Sequence, residues 1–214
     1  MQKLSNSIQL AHCLLKNRLN EAKIIVDATA GNGNDTLFLA QNTLNNAQIY
    51  AFDIQKEAIE NTKALLIKNF DIQKEAIENT KALLIKNKDN INLPLENISF
   101  IHDSHEHIDN YIQTKIDIAI FNLGYLPGGD HKFTTKDDTT LKAIDKILNN
   151  LNINGYVAIV MYPGHEEGLK EYQSIKLFVK DLPKKSFTVG WYKMINHNFN
   201  APALCWIEKV GEYA

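Results

Sequence analysis

Lys23 to Thr36 reads KIIVDATAGNGNDT, and the order of residue types in this stretch decides the fold. A short β-branched run, Ile24, Ile25 and Val26, ends in a carboxylate, Asp27. A turn follows in which Gly31 and Gly33 stand one residue apart, and then a helical run from Asp35 to about Gln41. A short, nearly all-apolar strand feeding a helix is the unit of parallel sheets that are covered on both faces. Ligands of such sheets bind beyond the carboxyl ends of the strands, which is where this turn lies.

The same alternation continues on both sides. Ile8 to Leu19 has apolar residues at helical spacing and predicts a leading helix. Gln48–Asp53, Ile98–His102, Ile116–Phe121 and Tyr156–Met161 read as four further strands. Helices are expected after the second of the five strands, from Thr139 to about Asn150, and from about Glu166 to Val179. Two late strands, near Phe187–Met194 and Ala203–Lys209, have no helix between them and predict an antiparallel hairpin at one edge. The expected fold is an α/β doubly wound, mostly parallel, seven-stranded sheet.

Composition bounds the function. The chain has 214 residues, 44% of them hydrophobic, enough for one folded domain with a sizeable core. Its 23 basic and 25 acidic side chains give a net charge of −2, which excludes a broadly basic nucleic-acid coat but not a local patch. Arg18 is the sole arginine. Cys13 and Cys205 make no disulfide framework and no metal-ligand spacing, which fits a cytoplasmic location. Neither a cleavable leader nor a membrane span is legible.

Phe52–Asn69 and Phe70–Asn87 are the same 18 residues, FDIQKEAIENTKALLIKN, in tandem. One identical pair is not a solenoid, which repeats at least three times with drift. Eighteen residues make about five helical turns, so a helix through both copies would keep Ile59, Leu66, Ile77 and Leu84 on one stripe. Such a helix would overshoot the domain by roughly 27 Å. Lys88–Asn97, if extended, could span roughly 33 Å and bring the chain back. The expectation is a single domain over residues 1–214 with a bulged or extended, functionally silent insertion after the second strand.

The strand ends carry the chemistry. Gly31 and Gly33 permit close backbone approach to a ligand, and Asp35 and Thr36 can cap the following helix. An ordinary capped turn would look the same. A dinucleotide fingerprint fits badly because Thr36 stands at its third glycine, and no Gly-Lys-Ser/Thr follows to make a P-loop. Asp53, some 20 residues on at the end of the second strand, can take both hydroxyls of a ribose or simply cap a helix before Gln55 and Lys56. Asp71 copies it without the preceding strand. Asp103 and Ser104 could meet the amino edge of an adenine. After the fourth strand comes Phe121-Asn122-Leu123-Gly124-Tyr125-Leu126-Pro127-Gly128-Gly129-Asp130, in which an Asn precedes an aromatic by three residues. An amide there can orient the N–H groups of an amine nucleophile, and the ring can stack on a base; a Gly/Pro loop with Asn as turn former is the plainer alternative.

DATAGNGNDT, FDIQ, FNLGYLPGGD and YPGHEEG together resemble class I S-adenosylmethionine-dependent methyltransferases, and more narrowly the bacterial MnmM (YtqB-like) family of rRNA methylase-like proteins. The likeness covers nearly the whole chain apart from the extra copy. Thr29 departs from the glycine usual in the wider class. The resemblance implies N-methylation of the aminomethyl group on the wobble uridine of tRNA, with S-adenosyl-L-methionine as cofactor. It implies that Asp27, Thr29, Gly31, Gly33, Asp35 and Thr36 cradle the methionine part, and that Asp53 and Gln55 hold the ribose. Asp103 and Ser104 would flank the adenine, while Asn122, Leu123 and Gly124 would also bind the cofactor and, with Tyr125, line the site where amine meets methyl, Asn122 and Tyr125 being catalytic. No metal is implied. The implied partner is the tRNA anticodon loop, with a homodimer left open and no membrane.

Other polar residues are weaker candidates. A primary amine is mostly protonated near neutral pH, so Asp130 or His131 could serve as a base if desolvation does not suffice. His102, His105 and His107 read as a surface or adenine-side loop, and His165 as a helix cap or a substrate contact. His197, Asn198 and Phe199 could reach the base, and Lys132, Lys136, Lys184 and Lys185 the phosphates. Competing functions are methylation of rRNA or a small amine, a nucleotide-binding oxidoreductase, and a non-catalytic binding module.

Overall fold

The computed structural model describes residues 6–44, 46–79, 93–124, 137–198 and 200–213. In chain order the elements are α1 (Ser7–Lys16), β1 (Ile24–Asp27), α2 (Asn34–Asn42), β2 (Gln48–Asp53) and α3 (Lys56–Asn79). They continue with β3 (Ile98–His102), β4 (Ile116–Asn122), α4 (Asp137–Asn150), β5 (Leu151–Met161), α5 (Glu166–Lys180), β6 (Phe187–Lys193) and β7 (Ala203–Lys209). Short 3-10 turns at Leu95–Asn97 and His105–Asn110 precede and follow β3.

The strands form one sheet in the order β3-β2-β1-β4-β5-β7-β6. The first five are parallel, and β7 lies antiparallel between β5 and β6. The expected terminal hairpin is present, with its second strand joining the sheet and its first left at the edge. Since β1 pairs β2 on one side and β4 on the other, the chain reverses its winding direction at β1. That reversal opens the crevice where α/β sheets take their ligands.

Period-two alternation sorts the side chains onto two buried faces. Val26, Ala119, Phe121, Val157 and Ile159 point to one face, under Ile144, Ile147 and Leu148 of α4 and Ile175 and Val179 of α5. Ile25, Ile118, Ile120, Ala158 and Val160 point to the other, under Ala11 and Leu15 of α1, Leu39 of α2 and Leu66 of α3. Leu15, Leu39 and Leu66 are fully buried, each burial stabilising by about 1.5–3 kcal/mol. Asn6 caps α1 by accepting from the Gln9 N–H at 2.8 Å, and Ser7, Ala11 and Leu15 make its buried stripe.

The largest boundary difference from the sequence reading is at the start of β5, five residues before the expected Tyr156. β5 begins at Leu151, where the cluster Asn152-Ile153-Asn154-Gly155 reads as a turn. The chain accommodates it inside the strand: Asn154 takes φ 63°, and the pairing with β4 shifts register between Ile116 and Ile118. The Asn152 amide donates to Asp117 Oδ1 at 2.7 Å and holds the irregularity in place.

The duplicated segment is helical across its junction. α3 runs unbroken past Asn69 and Phe70 to Asn79, ten residues into the second copy. The first copy supplies Ala58, Ile59, Thr62 and Leu66 to the interior. Asp71 sits within the helix, exposed, and so lacks the strand-end setting of Asp53. The rest of the second copy's stripe, Ile77 and Leu84, and the returning segment to Ile91 lie outside the described side chains. Deleting residues 70–87 should leave the thermal midpoint within about 3 °C, the shift that roughly 1 kcal/mol produces in a chain of this size. Calorimetric melts check this, and a larger drop would mean that the second copy carries part of the core.

Candidate functional site

Asp27 ends β1 with no exposed surface. One carboxylate oxygen accepts the Thr29 N–H at 3.1 Å and the other accepts the Thr36 hydroxyl at 2.6 Å. These two bonds tie both ends of the glycine turn to the strand. Burial, with repulsion from Asp35 next, pushes the Asp27 carboxyl up to about 7, against the pull of its bonds to Thr36 and Thr29. Gly31 and Gly33 take φ 55° and 83°, in the left-handed region. A Cβ on Gly33 would stand 2.8 Å from the Thr62 backbone of α3, so the turn and α3 touch main chain to main chain.

Asp53, at the end of β2, uses both oxygens on backbone. It accepts the Gly31 N–H at 2.9 Å and the Gln55 N–H, also at 2.9 Å. The helix-entry bond and the turn-holding bond therefore coexist, each leaving the oxygen a further lone pair. Beyond β3, Asp103 accepts from the Ser104 N–H at 2.7 Å, the Tyr111 hydroxyl at 2.9 Å and the His107 ring at 2.9 Å. Its hydrogen bond from His107 is the main cause that holds its carboxyl below the usual range. Ser104 caps the 3-10 turn that follows.

Asn122 is the last residue of β4, and its surroundings join three elements. Its backbone N–H donates to Thr29 Oγ1 at 2.7 Å, which explains a threonine at that point of the turn. Its side-chain Nδ2 donates to Asp35 Oδ2 at 3.0 Å. The other Asp35 oxygen meets His12 Nε2 at 2.7 Å. Tyr162, one residue past β5, has its hydroxyl pushed up to about 12 by burial and by Asp35, so it stays protonated and can donate but not act as a base. Gly124 takes φ 150° at a point where Tyr162 lies 3.7 Å from an added Cβ.

The structure thus brings these residues to one rim in two bonded sets, Asp27, Thr29, Thr36, Asn122 and Asp35 in one and Asp53, Gly31 and Gln55 in the other, with Gly33 in the turn between them. Asp103 and Ser104 stand at the neighbouring strand end. The Leu123 side chain is buried in the core, so only its backbone can face the rim. Tyr125, Asp130, His131, Lys132, Lys136 and Phe199 lie outside the described residues.

The three clustered histidines separate: His102 bonds the Ile54 carbonyl, His107 bonds Asp103, and His105 is buried with Nδ1 on the Ala28 carbonyl at 3.0 Å. His105 is therefore not a surface residue; burial lowers its pKa and keeps the ring neutral. His165 caps α5, accepting the Gly168 N–H at 3.1 Å. Lys184 and Lys185 precede β6, at the end of the sheet away from the rim, because Phe187 pairs with Lys209 while Lys193 pairs with Ala203 beside Met161. The same register brings the loop between β6 and β7 to the rim, where His197, Asn198, Asn200 and Ala201 line a hollow of about 400 Å³.

His12 and Tyr162 escaped the sequence reading. His12 belongs to an amphipathic helix without a motif, and its one signal was a polar ring among apolar neighbours.

Comparison with known proteins places this geometry. The family model described as "Putative rRNA methylase" matches residues 67–208. A chloroplastic tRNA (mnm(5)s(2)U34)-methyltransferase of Arabidopsis thaliana is 30% identical over 208 residues, covering 94% of this chain and 68% of that protein. A "putative rRNA-methylase" from Clostridium thermocellum superposes with a TM-score of 0.80 at 33% identity, covering 97% of this chain and all of that one. A "putative methyltransferase" from Streptococcus mutans, solved in complex with SAH, gives a TM-score of 0.74 at 36% identity over 96% of this chain and 99% of that one.

Two measurements check the site's physics. Gly33→Ala places a side chain at φ 83° against Thr62 and should cost about 2 kcal/mol, a drop of roughly 4–8 °C in melting temperature. Asp27 holds a proton in the folded state that the unfolded chain has lost between pH 3.8 and about 7. Its contribution to stability is therefore full below that window, declines through it and is gone above. Asp27→Asn should accordingly gain stability relative to the parent chain between melts at pH 5 and pH 8. An unchanged difference would mean that Asp27 is ionised throughout.

Proposed function

We propose, from the premise that this chain belongs to the "Putative rRNA methylase" family, that it is an S-adenosylmethionine-dependent N-methyltransferase acting on tRNA. The group it methylates is the aminomethyl nitrogen on the wobble uridine in the anticodon loop, yielding the 5-methylaminomethyl base. The observation that carries this reading is Asn122 at the end of β4, bonded to both the glycine turn and Asp35. The name and 30% identity of the Arabidopsis relative support the choice of tRNA.

The residues fit the cofactor. Gly31 and Gly33 leave the turn without side chains where backbone must approach a ligand. The carboxylates of Asp27, Asp35 and Asp53 surround that turn, a donor set suited to a cationic ligand with ribose hydroxyls. Asp53 keeps lone pairs for those hydroxyls beside its two backbone bonds. When bound, S-adenosylmethionine supplies an electrophilic methyl on a sulfonium. Asp103 and Ser104 would flank the base of the cofactor, and Gln55 would border the ribose. Backbone of Leu123 and Gly124 completes the wall beside Asn122, and Tyr125 supplies the ring that stacks on the uridine.

The protein's part in the reaction is orientation. A carboxylate only accepts hydrogen bonds, so Asn122 must turn its Nδ2 toward Asp35, which leaves Oδ1 as the acceptor for an amine N–H. Holding one amine N–H aims the nitrogen lone pair, and such alignment supplies much of the rate in a displacement. The amine sheds its proton to solvent before attack. Tyr162 cannot take it, since its hydroxyl titrates only near 12.

The deciding assay is methyl transfer to purified tRNA carrying the unmethylated 5-aminomethyl group, run beside rRNA and small primary amines. Incorporation confined to the tRNA supports the reading; transfer to rRNA alone would replace it. Asn122→Ala should lower kcat by about 100-fold or more while the Kd for SAH stays within about threefold, the pattern of a contact used for positioning. Equal losses in both would assign Asn122 to cofactor binding instead.

A further inference from the structure

His12 stands on α1, away from every strand-end motif, yet it closes the chain of bonds that ends at Asn122. Its Nε2 meets Asp35 Oδ1 at 2.7 Å, and its ring stacks on Phe38 of α2 with centroids 3.8 Å apart and planes 1° from parallel. The Asp35 side chain is 6% exposed and that of His12 19%, so the contact is largely shielded from water. Charge-assisted hydrogen bonds in such surroundings are stronger than neutral ones at the surface.

Two features separate this contact from simple packing. The buried stripe that seats α1 is Ser7, Ala11 and Leu15, with the Ser7 hydroxyl on the Pro202 carbonyl at 3.0 Å, so the helix has its anchor without His12. Asp35 also has two oxygens with two different partners: His12 takes one and Asn122 the other. Because the carboxylate only accepts, His12 must present Nε2–H and Asn122 must present Nδ2–H. Fixing one partner fixes the plane of the carboxylate, and with it the direction from which the second partner can donate.

We propose that His12 is a positioning residue for methyl transfer: it holds the Asp35 carboxylate in the plane that keeps the Asn122 carbonyl oxygen presented to the substrate amine. The inference rests on the methyltransferase reading above and adds a residue from a helix that precedes the whole catalytic sheet. Without the His12 bond, Asp35 can rotate about its Cβ–Cγ axis, and the Asn122 amide samples orientations in which Nδ2 faces the amine. Two donors then oppose each other, and the lone pair of the nucleophile is no longer aimed.

Two variants test it. His12→Phe keeps a ring over Phe38 and removes the N–H; His12→Gln loses the ring and keeps an N–H of similar reach. The expected result for His12→Phe is a kcat about 10–100-fold lower on aminomethyl tRNA, with KM for tRNA and Kd for SAH each within about threefold. His12→Gln should recover kcat to within about fivefold of the parent. A third measurement needs no substrate: the 15N-resolved side-chain amide of Asn122 should shift and exchange faster with solvent in His12→Phe, and return toward the parent position in His12→Gln. An unchanged Asn122 amide in His12→Phe, a parental kcat, or an SAH affinity that falls in step with kcat would each overturn the proposal. If the parent chain itself methylates no tRNA, the functional reading fails, and the amide spectra still decide whether His12 sets the Asn122 orientation.

Discussion

Asp27 carries a carboxylate to a place without water, and the rim of the sheet depends on how its two oxygens are used. A buried carboxylate is tolerated only when hydrogen bonds replace the lost solvent. Here the replacements are the Thr29 N–H and the Thr36 hydroxyl, one on each side of the glycine turn. The turn is thus folded around the carboxyl group. Thr29, so placed, offers its own hydroxyl oxygen to the Asn122 backbone, which couples the ends of β1 and β4. Thr36 lies in the first turn of α2, with its neighbour Asp35 facing both α1 and β4. A single buried group at the point where the sheet reverses its winding therefore sets the positions of the residues on either side of the crevice.

The fold was legible in the sequence because its strands are short apolar runs that end at polar residues. β2 and β3 keep their expected limits, Gln48–Asp53 and Ile98–His102, since each is a short, mainly apolar run with no Gly, Pro or Asn inside it. β5 was misjudged at its start because Asn154 and Gly155 are turn formers in isolation; pairing of Leu151 with Ile116 keeps them in the strand. The ring of residues around the turn was also legible, since strand-end residues of a parallel sheet must share one rim. What the sequence could not reveal was contact between elements without motifs. His12 and Asp35 stand 23 positions apart on two helices, and only the docking of α1 beside α2 brings them together. The place of Lys184 and Lys185 was hidden for a related reason: a lysine's sign is visible in a sequence, but the end of the sheet it occupies depends on strand direction.

The duplication shows how much change the second helix position absorbs. The helix after β2 meets the turn through Thr62, whose hydroxyl donates to the Gly31 carbonyl at 3.1 Å and whose backbone crowds Gly33. Both contacts fall in the first copy and within the first two turns of α3. Helix propagation adds one hydrogen bond for each residue fixed, so extension beyond Asn69 needs no new nucleus. The period matters as well. Eighteen residues return the apolar stripe to nearly the same angle, and the helix crosses the junction without a break. An insertion of two or three residues fewer would have turned the stripe of the second copy away from that of the first.

Acidic crowding at the rim has a physical consequence for the order of events. Burial does most to push the Asp27 carboxyl from 3.8 up to about 7, and the neighbouring Asp35 and Asp53 add to the rise. A cationic ligand beside these carboxylates would favour their ionised forms. The proposed cofactor is positively charged at the sulfonium and at its ammonium group, and both charges would enter the region these carboxylates surround. Loss of the methyl group leaves a neutral thioether, so one of the two charges disappears at the chemical step. A net charge of −2 is no obstacle to an RNA substrate under this arrangement. Part of the negative charge is gathered at the glycine turn, in Asp27, Asp35 and Asp53, rather than spread over the surface.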